Sequence, residues 1–318
     1  MSRYQRPAET RGLYGEIAAN RRRSLLLVVS LSALLGAFGA ALGGLYGHAG
    51  TGLTVAVAVA VVLLLVTWFG GASMTLAASS ARPADPARDQ TLLNVVHEMA
   101  IASGTPVPAV YVIDDSAPNA FATGRDPRHA MVAVTTGLVD KLDRDELQGV
   151  IAHELAHVRN YDIRYTTLVA VTVGAIALVA DFALRRLWWA GPTRSRNRDA
   201  SLPLVLIAVL VAILAPLSAR LLQAAVSRRR ETLADLGSAE MTRYPEALAR
   251  ALEKIEADTE VLEAANRATA PLYIVNPVKS FEERATSLLR THPPTAERVR
   301  LLRGLVLSGT GEDPTPAS

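Results

Sequence analysis

The sequence predicts a mostly helical α+β chain held in a membrane by two hydrophobic hairpins, with up to four transmembrane helices and a water-facing part containing a small antiparallel sheet. Three observations predict it. Half of the 318 residues are hydrophobic while 20% are charged, a split expected of a chain divided between lipid and water. Long uncharged runs come in two pairs. Between and after them, charged segments carry helical periodicity and short strand-like runs. The formal charge of +3, from 33 basic and 30 acidic residues, gives no basis for nucleic-acid binding. Cysteine is absent, which excludes disulfides, thiolate metal sites and a cysteine nucleophile, so any transition-metal site must use His, Asp or Glu.

The first pair of apolar runs is Ser24 to Tyr46, 23 residues without a charge, and Gly52 to Phe69, 18 more. A membrane-crossing helix needs roughly 20 apolar residues, so these form a hairpin with a short glycine-containing turn. Arg21, Arg22 and Arg23 resemble the basic flank of a signal peptide, but the apolar run is too long and a second follows at once. Tyr165 to Leu184 and Leu202 to Leu222 make the second pair, interrupted by Asp181, Pro203, Pro216 and Arg220. A buried core hairpin is the competing reading for that pair.

Basic residues near span ends set orientation, and Arg21–Arg23 place the N-terminus in the cytoplasm. Two crossings return the chain to that side near Gly71. The loop between the third and fourth runs conflicts with this, because Arg185, Arg186, Arg194, Arg196 and Arg198 resist export. The expected organisation is a cytoplasmic tail over 1–20, a transmembrane hairpin over 21–71, a water-facing block over 72–164, a second hairpin over 165–222, a second block over 223–308 and a tail over 309–318.

Within the first block, Asp89 to Ser103 reads as an amphipathic helix with Leu92, Leu93, Val96, Met99 and Ala100 on one side. "PAVYVIDD", "NAFATG" and "HAMVAVTTGLV" read as strands, the last two separated by the turn signal "GRDPR". A helix follows, opened by a capping box of Asp143 and Glu146 and continued by Leu147, Val150 and Ile151. The second block is mainly helical, with "YPEALARALEKIEADTEVLEAANRA" its longest stretch.

That capped helix contains "HELAH", residues 153–157. Helical positions i and i+4 point the same way, one turn apart, so His153 and His157 can each offer a nitrogen to one zinc ion. Glu154 can reach a water on the open side of the metal and take its proton. The pattern is short, and packing inside a helix is the plain alternative. "VVHEMAIA" shows the contrast: His97 and Glu98 are followed by Ile101 where a second histidine would stand, and His97 reads as a surface or packing residue. A catalytic zinc site needs a third protein ligand. In "SRRRETLAD", Glu231 and Asp235 fall four apart, so Glu231 can ligate while Asp235 holds the far nitrogen of a histidine. A solvated helix whose carboxylates answer the neighbouring arginines fits the same spacing.

"HELAHVRNYD", "SRRRETLAD", "YIVNP" and "THPPTAERV", with "NAFATG" upstream, occur in the order found in membrane zinc endopeptidases of the HtpX type, a gluzincin family. The chain resembles that family over about residues 15 to 303. The resemblance implies a zincin-like cytoplasmic catalytic domain holding one Zn2+ per chain, with His153, His157 and Glu231 as ligands and Glu154 as catalytic base. It implies that Asn119, with Ala120 and Phe121, contacts substrate, in keeping with a strand able to pair with an extended peptide. His292 of "THPP" is expected to stabilise the transition state or touch substrate. Glu297 and Arg298 read as structural ion pairs. Tyr161 departs from relatives, which often carry a basic residue there.

The expected function is hydrolysis of misfolded or damaged membrane proteins at a bacterial cytoplasmic membrane, as protein quality control under stress. The partners are polypeptide substrates and the lipid bilayer; oligomeric state is not legible. Two alternatives remain: a peptidase of the prenyl-protease kind that trims CAAX-type tails, and a non-catalytic membrane scaffold stabilised by zinc. Glu154 argues against the scaffold, since a purely structural metal site needs no base.

Overall fold

A computed structural model describes residues 49–171, 228–265, 269, 272–275 and 294–309, with scattered positions between 22 and 48. An uncharged sequence with no polar face makes the first complete helix, α1, Ala49–Ala78. Among the described residues it is the one helix long and apolar enough to cross a membrane. Val55, Val57, Val62, Leu65 and Phe69 project outward, an apolar surface of the kind a membrane-crossing helix presents. The described positions between 22 and 44 are helical and pack on α1 through small residues. A Cβ placed on Gly39 would fall 2.3 Å from the Ala56 Cβ, so the two backbones approach as closely as glycine allows.

The helix outruns its expected end. It continues past Phe69 and past residue 71 to Ala78, because Gly71 fits against Thr167 and Val171, and Thr75 and Leu76 enter the protein interior. An outward-facing apolar surface gives way to burial in protein without interrupting the backbone ladder.

Strands β1 (Arg82–Pro83), β2 (Ala109–Ile113), β3 (Ala120–Gly124) and β4 (Ala130–Thr135) form one sheet in the order β1-β2-β4-β3. The expected antiparallel sheet is corrected to a mixed one, since β2 and β4 run parallel. The physical reason lies in the connection after β2. Residues 114–119 reverse the chain but leave a gap one strand wide, and β4, returning from β3 in an antiparallel hairpin, fills it. The third strand is also shorter than its apolar run. Thr135 accepts a hydrogen bond from the Leu138 N–H and caps a helix, so "TGLVDK" becomes α3 (Thr136–Lys141).

Helix α2 (Gln90–Ser103) buries Leu92, Val95, Val96, Met99 and Ala100, leaves Leu93 only partly covered and ends on Gly104 with φ 68°, a left-handed cap. Helix α4 (Arg144–Arg159) has the capping box read from sequence: Asp143 accepts from the Glu146 N–H and Glu146 accepts from the Asp143 N–H. Leu147, Val150, Ile151, Leu155 and Val158 then bury completely or nearly so, each contributing about 1.5–3 kcal/mol of hydrophobic stabilisation. Residues 162–171 are helical beyond it.

Three helices close the other side: α5 (Arg228–Thr242), α6 (Pro245–Ala257) and α7 (Thr295–Gly309). Helix α6 stops short of its expected length. Asp258 turns out at φ −68°, ψ 132°, and its carboxylate accepts from the Glu260 N–H and from Lys141. Two glycines set the depth of packing on α4. A Cβ on Gly149 would meet the Leu248 backbone nitrogen at 2.8 Å, and one on Gly237 the Ala156 Cβ at 2.9 Å. The core therefore wraps α4 on nearly every side. Residues 172–227, which hold the rest of the expected second hairpin, lie outside the described residues, as do residues 1–21, residues 276–293 with His292, and residues 310–318.

Candidate metal centre

Helix α4 runs through the interior and presents His153, Glu154 and His157 from its third and fourth turns. Helix α5 crosses it at Gly237, and that close approach brings Glu231 and Asp235 onto the same side. His153, His157 and Glu231 each place one ligand atom within 4.8 Å of the others. Nε2 of His153 is 3.7 Å from one Glu231 oxygen, and Nε2 of His157 is 3.7 Å from the other. These separations are too long for hydrogen bonds. They suit ligands around one small cation, since tetrahedral donors about 2.0–2.1 Å from zinc lie ~3.3 Å apart. Two imidazoles and a carboxylate are a donor set zinc accepts, with room for a further ligand, so the residues fit the metal.

The far nitrogen of each histidine meets its own carboxylate. Nδ1 of His153 lies 3.0 Å from Asp235, and Nδ1 of His157 lies 2.9 Å from Asp162. Each contact fixes ring orientation and directs Nε2 at the shared point. Asp235 was read from sequence; Asp162 was not. It reaches His157 because α4 ends at Asn160 and Tyr161 takes φ 61°, a left-handed step unusual for a tyrosine that turns the chain back under the helix.

Arg298, expected in a structural ion pair, makes one inside the centre. Its Nε and Nη2 donate to the two Asp235 oxygens at 2.9 and 2.7 Å, and Nη1 donates to the Ile274 carbonyl at 3.1 Å. Glu297, beside it, faces solvent.

Charge state follows surroundings. In the metal-free protein, burial pushes His153 down to about 4, with Asp235 opposing and Arg298 adding to the fall. Burial lowers His157 too, but the hydrogen bond to Asp162 and the Glu231 charge outweigh it and raise the group to about 9. Burial lifts Glu154 to about 7; His157 opposes this, the Glu231 charge reinforces it, and the Ala122 N–H donates to the carboxylate.

The "NAFATG" strand is β3, the sheet edge beside α4. Ala120 and Ala122 face the core that contains α4, whereas Phe121 is fully buried on the opposite face, edge-on to Tyr273 at 5.0 Å. Asn119 is buried, and its Nδ2 donates to the Val275 carbonyl at 2.9 Å. The Ala120 carbonyl accepts from the Ile274 N–H at 3.0 Å. Residues 274–275 of the same chain thus lie along this end of the edge. His97 is exposed, as its sequence suggested.

Comparison with known proteins places this geometry in context. The family model described as Peptidase family M48 matches residues 86–306. A "Protease HtpX homolog" of Lactobacillus helveticus is 42% identical over 91% of this chain and 99% of its own length. Another, from Thermoanaerobacter pseudethanolicus, is 42% identical over 93% of this chain and 98% of its own. A solved structure, "Crystal Structure of S. mikatae Ste24p", aligns with TM-score 0.48 and 19% identity over 91% of this chain and 67% of that one.

Proposed function

The chain belongs to peptidase family M48, and from that premise we propose how its own residues cleave a peptide bond. It is a membrane metalloendopeptidase. In our reading the metal is one zinc ion, held by His153, His157 and Glu231. The observation that carries this is the convergence of those three side chains, with a separate carboxylate behind each histidine.

A bound zinc ion supplies Lewis acidity to a peptide carbonyl and to an attacking water. The protein moves the proton. The Glu154 carboxylate, poised near neutrality by burial, takes it from the water and passes it to the departing amide nitrogen. Asp235 and Asp162 keep the two Nε2 atoms aimed. Arg298 holds Asp235 with two hydrogen bonds and lies 3.4 Å from both His153 ring nitrogens, so the His153 orientation depends on α7 as well as on α4 and α5. His292 acts near the developing oxyanion, the role its motif suggests. Asn119 and Ala120, by hydrogen-bonding Val275 and Ile274, shape the wall beside the base, and an incoming peptide pairs alongside that wall.

The substrates we propose are misfolded or damaged membrane proteins, cleaved on the cytoplasmic side of a bacterial plasma membrane. The arginines at 21–23 and the apolar, outward-facing α1 support that placement. The test uses full-length protein in detergent, comparing zinc content and cleavage of an unfolded protein for wild type and Glu154→Gln. The expected result is equal zinc with cleavage lower by about 10²–10⁴-fold in the variant. Loss of zinc together with cleavage would make Glu154 structural and overturn the assignment.

A further inference from the structure

A cavity of about 80 Å³ lies where the lipid-facing length of α1 meets the sheet, and Trp68, Phe69, Arg125, His129 and Arg164 are among its lining residues. None of these belongs to the metal centre. The Arg125 guanidinium lies 5.1 Å over the Phe69 ring, and that of Arg164 lies 5.2 Å over Trp68. Consecutive aromatic residues in the second half of α1 therefore each carry a cation on their face. The Arg164 Nε also donates to the Arg125 carbonyl at 2.7 Å, which ties the two basic residues together. Asp126 balances part of this charge, 3.7 Å from Arg125 and 2.8 Å from His129.

We propose that this cavity holds the phosphate of an anionic phospholipid, with the acyl chains running down the Phe69 face of α1. The reading rests on α1 crossing a membrane. Stacking fixes both guanidinium groups before any ligand arrives, and a guanidinium fork matches phosphate oxygens in pairs. Trp68, which lines the cavity, is of the residue type enriched at the headgroup layer. Phe69, 67% exposed next to the cavity, continues the apolar surface on which acyl chains lie. A free phosphate would use the cations and leave that surface unused. A phospholipid uses both from one direction, so the lipid is the better match.

The test is native mass spectrometry of the full-length protein in a nonionic detergent, titrated with phosphatidylglycerol, phosphatidylcholine or glycerol phosphate. Wild type should retain phosphatidylglycerol in preference to phosphatidylcholine. The double variant R125Q/R164Q should bind it about 30-fold more weakly, as expected for removing two cations at a membrane surface. Glycerol phosphate should not displace the lipid at equal concentration. Equal retention by variant and wild type would overturn the proposal, and so would glycerol phosphate binding as tightly as the lipid. If the double variant does not fold, R125Q alone, at a side chain 24% exposed, should still weaken retention about 5-fold. Zinc content measured on the same samples reports on the metal centre separately, so failure here does not mimic failure there.

Discussion

The two halves of the candidate metal centre sit one helical turn apart on α4 and are built differently. On the His153 side three elements converge: Asp235 from α5 and Arg298 from α7 form a buried bidentate pair against the ring, and the imidazole is driven to its neutral form. On the His157 side the partner is local, Asp162 from the turn that ends the same helix, and the ring stays partly exposed and strongly basic. One histidine is positioned by tertiary structure and the other by chain geometry within five residues. A histidine pair that looks symmetric in sequence thus depends on distant packing at one end and on a single turn at the other.

The comparison breaks most completely at the ligands. His153→Ala and His157→Ala should each lose stoichiometric zinc and cleavage, measured by metal analysis after gel filtration; tight retention by either would remove that residue from the ligand set. One step out, the halves should diverge. Asp235→Asn leaves Arg298 buried beside a weakened partner and should cost about 3–5 kcal/mol in chemical unfolding as well as metal affinity. Asp162→Asn should lower zinc affinity by about 10–100-fold with a smaller loss of stability. Equal stability losses would mean that the two sides are built alike.

The smallest effect is on pH. In chelated protein His157 has its folded pKa raised from 6.5 to about 9, so its stabilising contribution is complete below pH 6.5 and disappears as pH rises through 9. His153 is depressed to about 4, so its contribution is present above pH 6.5 and is lost as pH falls toward 4. Glu154, raised to about 7, loses its contribution between pH 4.5 and 7 as pH rises and partly offsets His153. The interval from 7 to 9 therefore isolates His157. Thermal unfolding of the zinc-free protein should fall across it, and Asp162→Asn should flatten the fall.

This difference also marks what sequence reasoning could reach. Helix α4 was legible because its signals are local: the capping box, the apolar spacing and two histidines four apart. Asp235 was legible as a helical neighbour of Glu231. Asp162 escaped because its place depends on a tyrosine adopting a left-handed conformation, which residue identity does not announce. Arg298 was legible as a structural ion pair, but its place at the centre was not: its contact with His153 spans 145 residues, and nothing in its own segment names the partner. The sheet shows a third kind of limit. Strand positions follow from composition, but β4 sliding between β2 and β3 is a matter of which gap the returning chain can fill.

Helix α1 carries a mechanical consequence. It passes from outward-facing Phe69 to buried Leu76 with no break, and seven residues of α-helix advance about 10 Å. The backbone ladder is unbroken over that length, so the outward-facing and buried parts of the rod are joined directly, with Gly70 and Gly71 the two residues at which it would bend most easily. If α1 crosses a bilayer, a change in membrane thickness reaches the sheet through this one rod, as a tilt or as a bend at that glycine pair. Bilayer thickness then becomes a variable to which the protein's interior is mechanically connected.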